Sequence, residues 1–306
     1  RTAGGRTLVG GVYAEAAYSR PDFSLTGGAR LDGWRSYHGV RRERDAATGA
    51  LTLDAPVADA SGTTPTARAG VRQRLDGDTW IRAAAYAGFR PPTLNELHRP
   101  FRVGNDVTEA NAALKPETLY GVETGFSGEG TVRWNLGLFY NQVQDPITNV
   151  TVGIGPGSFP VAGFIPAGGV LRQRRNAGEI NAYGLEGDAS ADLSPAWTVR
   201  AAFSATHARV DGGALAPQLT DKRPAQAPAL TVTAGARWRP IERLSLDADL
   251  RYESKRYEDD LNLRTLKAGT SLDLRAGWAL SPTSEVYLAA DNVLDANLAV
   301  AQTADG

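Results

Sequence analysis

Apolar and polar residues alternate with a period of two along most of this chain, and the 3.6-residue period of a helix is scarce. Residues 23–33 read Phe, Ser, Leu, Thr, Gly, Gly, Ala, Arg, Leu, Asp, Gly, with an apolar or small residue at every odd position. Residues 131–140, 229–238, 244–252 and 270–280 repeat the pattern on even positions. Twelve strands follow from it, over 8–18, 23–34, 66–75, 79–89, 117–127, 131–142, 180–192, 196–208, 229–239, 243–256, 268–280 and 284–292. Most run well past the roughly 5–6 residues of a typical strand. A strand of roughly 10 residues, tilted by about 45°, crosses a bilayer.

The connections alternate in length. Short turns fall at Ser19–Asp22, Asp76–Asp78, Gly128–Gly130, Leu193–Pro195, Pro240–Ile241 and Ser281–Thr283. Long loops over 35–65, 90–116, 143–179, 209–228 and 257–267 lie between them. Tight turns at one end and long loops at the other are how outer-membrane barrels are built. The apolar parity of the twelve strands comprises 62 positions, and none is Asp, Glu, Lys or Arg. At 22% charged residues overall, about 14 would be expected there. The opposite parity carries Glu15, Arg68, Glu123, Glu186, Arg200, Arg237, Asp247, Asp249, Asp273 and others. Trp134, Trp197, Trp238 and Trp278 lie near short turns on the apolar parity, as amphipathic rings at a membrane interface do. Trp80, also near a turn, sits on the charged parity. The expected fold is all-β: an antiparallel, up-and-down transmembrane β-barrel, read as one domain over residues 1–306.

Composition narrows the function. Lys+Arg number 33 against 34 Asp+Glu, which leaves no basic excess for nucleic acid. No cysteine is present, so thiolate metal sites and cysteine nucleophiles are excluded. His38, His98 and His207 form no metal-spaced pair, and no Gly-x-Ser-x-Gly elbow occurs. No catalytic residue, resident metal or cofactor is expected. The chain lacks Met and a secretory leader, and reads as a processed segment.

Residues 86–118 read YAGFRPPTLNELHRPFRVGNDVTEANAALKPET. This stretch resembles the TonB-dependent receptors of Gram-negative outer membranes. Their aromatic-Arg-x-Pro-Thr box corresponds to Phe89–Thr93, and their Asn-x-x-Leu-Lys-Pro-Glu box to Asn111, Leu114, Lys115, Pro116 and Glu117. NAGEINAYGLE over 176–186, YEDDLN over 257–262 and DNVLD over 291–295 resemble later boxes of that family. The resemblance implies a 22-stranded parent barrel embedded in outer-membrane lipid and filled by an N-terminal plug. It also implies import of a scarce nutrient such as a ferric siderophore, energised by TonB through that N-terminal part. This chain then corresponds to strands 10–21, without the plug and the last strand, so that its sheet is left open. Haem or cobalamin import, a passive porin-like channel and a soluble lectin-like domain are the alternatives.

Ligand capture belongs to the long loops, because short turns have no room for a pocket. His98, Arg99, Arg102, Arg172, Arg174 and Arg175 are the candidates. Guanidinium groups match the carboxylates of an anionic metal chelate, with loop-to-loop salt bridges as the competing reading. His98 lies between the two boxes, where haem-importing members of the family carry an iron-ligating histidine. Glu258, Asp259 and Asp260 are expected to form a solvated acidic loop, with calcium binding as the alternative. Leu246 is expected near the bilayer midplane, and loops 90–116 and 143–179 are expected to converge over the barrel mouth.

Overall fold

The computed structural model describes residues 2–302. Twelve strands form one antiparallel meander among these residues: β1 (Thr2–Arg20), β2 (Phe23–Arg44), β3 (Ala60–Asp76), β4 (Thr79–Arg90), β5 (Glu117–Glu129), β6 (Val132–Gln144), β7 (Glu179–Ser194), β8 (Trp197–Asp211), β9 (Leu230–Ile241), β10 (Leu244–Glu253), β11 (Gly269–Ser281) and β12 (Ser284–Ala290). Each pairs with its neighbours in sequence, and β1 and β12 do not pair with each other, so the sheet is open among the described residues. No helix is long and apolar enough to cross a membrane; the crossing elements are strands.

The two parities take opposite faces. Large apolar side chains on the charge-free parity stand exposed, Leu138 at 56% and Leu288 at 76%. This is an apolar surface with no covering layer of its own, and lipid is the solvent that suits it. Trp197 stacks on Trp238 at 5.4 Å near the short turns. At the other end of β8 the ring of His207 stacks on Tyr183 at 4.9 Å, and Tyr183 registers with Tyr140. Only Val199, Ala201, Phe203 and Ala205 share that face between Trp197 and His207. Ten residues of strand rise about 33 Å, or about 25 Å along the normal at a tilt near 40°, the height of an outer-membrane apolar band.

The opposite face is laced with ion pairs that run across the strands. Arg237 Nε meets Asp247 Oδ1 at 2.6 Å, and Arg72 reaches Glu129 at 2.9 Å. Arg200, Gly235 and Asp249 stand in one register row. Arg200 pairs with Asp249 across the glycine, where a Cβ would meet the Arg200 Nε at 2.6 Å. Glu15, Gly28 and Arg68 repeat the device on the first three strands. The arginines thereby lie flat along the wall. Trp80, which shares the charged parity with Trp34, is 9% exposed, with the Arg72 guanidinium 3.9 Å from its ring centroid. It belongs to this inner face, not to the girdle.

Three expectations change. The predicted loop 35–65 is largely strand: β2 continues to Arg44, Leu51–Val57 folds back on it, and β3 begins at Ala60. Past the lipid both faces of a hairpin can be polar, so the two-residue pattern disappears while pairing persists; Arg42 and Asp54 bridge there at 3.0 Å. Leu246 registers with Trp238 and so stands in the girdle row, not at the midplane. Four residues along, Leu250 pairs with Leu272 and Ala234, well inside the apolar band. The acidic segment 258–260, expected to be solvated, is folded into the mouth, as described below.

Candidate functional site: the barrel mouth

The mouth begins where β4 stops. Pro91 and Pro92 have no N–H to offer a ladder, so the strand ends and the chain turns inward. Thr93 then caps a short helix, α1 (Leu94–His98), in a reciprocal capping box with Glu96. Pro100 follows the helix and stops it. Arg90 holds the base of this turn, reaching Glu96 at 2.9 Å and Glu117 at 2.8 Å. Burial alone would raise the Glu96 carboxyl; Arg90 and the Thr93 donors outweigh it and hold it below the usual carboxylate range.

The second box closes the same clasp. The Asn111 N–H donates to the Glu96 carbonyl at 3.0 Å, and its side-chain amide donates to the Arg174 carbonyl at 2.9 Å. Asn176 donates to the carbonyls of Lys115 and Asp145 and accepts from the Lys115 N–H at 2.9 Å. The residues that make the family boxes recognisable are therefore tethers that fold loops onto the wall.

Loops 90–116 and 143–179 interlock in one four-stranded sheet. Its order is Ile147–Ile154, Val170–Asn176, Asp106–Glu109, Phe101–Val103, and the central pair is parallel, Leu171 beside Val107. Val107, Ile165 and Leu171 form one small core beneath it. Val150, Ala177, Val210, Ala216 and Leu219 form another with the loop after β8.

A buried ion network ties in the loop after β10. Asp106 accepts from Arg172 Nη1 at 3.3 Å, from Arg264 and from the Val170 N–H at 3.2 Å. Burial works against its charge, but the two arginines prevail and keep the carboxyl below its ordinary range. Asp260 accepts from the Thr151 N–H and hydroxyl, each at 2.7 Å, and lies 3.8 Å from Arg172 Nε. Asp259, 5% exposed, takes the N–H groups of Arg264 and Leu263 at 2.6 and 3.1 Å. These acids are buried and satisfied, which corrects the solvated-loop expectation. Among the described residues no cluster of His, Cys, Asp or Glu has the makings of a metal site.

The six candidates separate. His98 is 3% exposed, and both ring nitrogens are buried without a partner among the described residues. Its ring packs against the first hairpin, where a Cβ at Gly39 would stand 2.7 Å from His98 Cε1. Burial pushes its pKa below 6.5, so it is neutral at pH 7. The Arg174 guanidinium donates to the carbonyls of Asn95 and Arg99 and covers the Phe101 ring; burial lowers its pKa. Arg175 donates to Gln173 Oε1 at 2.9 Å and to the Leu215 carbonyl at 3.2 Å. Arg99 is exposed, and Arg102 is exposed with one bond to the Ala162 carbonyl at 3.1 Å.

Beneath the interlocked loops lies a cavity of about 470 Å³. Ile180 and Val210, from the charged parity of β7 and β8, line it, which places it on the inner side of the wall. Phe101, Leu219, Arg223 and Glu258 also line it, and of the six candidates only Arg172 does. The sequence does not mark Arg223, because it sits in loop 209–228 with no motif around it.

A lipid-facing antiparallel wall with long loops folded into its mouth defines an outer-membrane β-barrel of the receptor class. A family profile described as "TonB dependent receptor-like, beta-barrel" matches residues 1–293, and the chain belongs to that family. The iron-regulated outer membrane virulence protein of Vibrio cholerae serotype O1 is 26% identical over 232 residues, 72% of this chain and 34% of that protein. The chain thus spans about a third of the curated relative it matches. Among solved structures, the copper transporter OprC superposes with a TM-score of 0.73 at 17% identity, covering 95% of this chain and 44% of that one. The ferric-catecholate import receptor Fiu of E. coli K12, in its closed form, gives 0.72 at 18% identity, covering 99% and 43%. These likenesses establish the fold. The family's members are receptors and transporters, not enzymes, and its barrels sit in the outer membrane.

Proposed function

We propose that this chain is the greater part of the barrel of a receptor that imports a bulky metal chelate, of the ferric-siderophore type, across the outer membrane. In that reading an N-terminal plug fills the lumen, TonB supplies the energy, and the inner-face charges meet the plug. The supporting observation is the interlocked mouth: three loops tied through Asp106, Arg172, Asp260 and Arg264 over a cavity of about 470 Å³. That volume falls in the usual range for ligand pockets, roughly 300–1,000 Å³. A porin-like channel needs an open lumen, and loops that bond to each other across the mouth work against that. The iron-related names of the Vibrio relative and of the Fiu receptor point the same way. Within the mouth, Arg99 and Arg102 face an arriving ligand, while Arg172, Arg174 and Arg175 hold the loops in place. A haem iron has no path to His98 in this arrangement, since both ring nitrogens are buried.

The test is uptake of radioiron chelates by the complete gene product in a host stripped of its own receptors. Uptake that stops when TonB is deleted is the expected result. Flux of small solutes that persists without TonB, with no chelate uptake, would favour the passive channel.

A further inference from the structure

The cavity under the loops is lined by two arginines, and their circumstances differ. Arg172 is held by Asp106 and Asp260. The Arg223 guanidinium has no carboxylate within 4.0 Å and no hydrogen-bond acceptor among the described residues, while its backbone is fixed at both ends. Its N–H donates to Asn262 Oδ1 at 2.8 Å, and its carbonyl accepts from Asn262 Nδ2 at 2.9 Å. A half-buried cation on a clamped backbone, left without a counter-ion, is placed for an anion from outside.

The surroundings sharpen the ligand. Ile180, Val210, Leu219, Pro224 and Phe101 supply an apolar lining. Thr148 also lines the cavity, and its hydroxyl is buried without a partner among the described residues. The cavity's acids offer little to a cation. Asp106 is taken by two arginines, Asp259 by two backbone N–H groups, and Asp260 by Thr151 and Arg172. Glu258 accepts from Gln226, and burial raises its pKa and so disfavours its charge. One free positive group against an apolar surface suits an organic anion whose charge is carried on a flat ring.

We propose that Arg223 is the anion-recognition residue of this cavity, and that it selects chelates presenting an aryl carboxylate or catecholate over neutral chelates of similar size. The assignment rests on the chelate reading above and adds a charge preference to it. Arg223 touches the ligand directly, and Asn262 acts as its positioning residue.

Binding is measured by titration on the full-length receptor, with two probes: the anionic ferric tris-catecholate of a 2,3-dihydroxybenzoyl ligand and a neutral ferric trihydroxamate. Loss of a charged hydrogen bond raises Kd by about tenfold or more. Arg223→Gln is expected to weaken the catecholate by that factor and to leave the hydroxamate unchanged, with Arg223→Lys recovering part of the loss. Unaltered mobility of the folded barrel in unheated gels confirms that each variant is folded. Equal weakening of both probes would make Arg223 a structural residue and overturn the assignment, as would no weakening of either. A wild-type receptor that binds the hydroxamate but not the catecholate overturns the charge preference and leaves the chelate reading standing. Binding of neither probe overturns both.

Discussion

On β8 the side chains of Val199, Ala201, Phe203 and Ala205 point away from the protein, while on the following loop Ala216 and Leu219 are buried to 0% and 2% exposure. That contrast holds across the molecule. Apart from Trp80 on the inner parity and Ala191, a small residue of the outer parity in register between Val132 and Val199, the buried hydrophobic residues are in the mouth or at the strand ends that enter it. The wall faces its apolar residues outward and satisfies its polar ones inward, with flat ion pairs laid across strands. The mouth is built like a small water-soluble domain, with its own cores, a capped helix and a buried ion network. One chain therefore follows two solvent rules, and a substitution should cost according to which region it falls in.

The largest effect is expected in the wall. Leu250→Arg, inside the apolar band, should destabilise insertion by about 2–4 kcal/mol, whereas Leu246→Arg in the tryptophan row should cost about 0–1 kcal/mol. Asp247→Asn on the inner face removes a pair to a partly exposed arginine and should cost no more than about 1 kcal/mol. Folding titrations into lipid vesicles give all three values. Equal costs for Leu250 and Leu246 would mean that the band is misplaced.

In the mouth, Asp106→Ala leaves Arg172 and Arg264 without their shared partner. About 2–3 kcal/mol of local loop stability should be lost. Hydrogen exchange should quicken over 101–109, 147–154, 170–176 and 257–266 together and leave the wall strands β8–β11 untouched. Exchange confined to Asp106's own strand would show that the three loops are not coupled.

A smaller effect concerns pH. The His98 ring is buried neutral and its folded pKa lies below 6.5, so the unfolded or undocked state binds more protons. Docking of α1 is then fully present above about pH 6.5 and weakens as pH falls toward the folded value, by at most about 1.4 kcal/mol per pH unit. Exchange of the Leu94–His98 amides, corrected for intrinsic rate, should show this loss, and His98→Gln should abolish its pH dependence. A pH dependence that survives in His98→Gln would assign it to another group.

The wall was legible because lipid imposes a two-residue period on every crossing strand. From Thr79 onward each wall strand ends within three residues of the predicted bounds. Legibility failed past the lipid edge, where β2 runs on through Tyr37 and Arg41 to Arg44 with no apolar parity to betray it. The family boxes were recognisable in sequence, but their role as tethers was not. The bonds of Asn111 and Asn176 reach residues 63 and 61 positions away, and no local pattern encodes such partners. Residue type alone points to the candidate arginines. Whether a guanidinium is free or paired depends on loops distant in sequence, so the sequence marks the paired Arg172 and gives no sign of Arg223.

The contrast between the two regions is tested most directly by a single-cysteine scan, since the native chain has no cysteine to interfere. Fluorophores placed one at a time over 244–253 and over 147–154 of the full-length receptor in membranes are challenged with lipid-borne and aqueous quenchers. The wall segment should alternate strictly, with the even positions of β10 quenched from lipid and the odd ones from water, while the loop segment shows no lipid quenching at any position. Lipid quenching without alternation over 244–253, or any lipid quenching over 147–154, would contradict the division of this chain into a lipid-facing wall and a self-contained mouth.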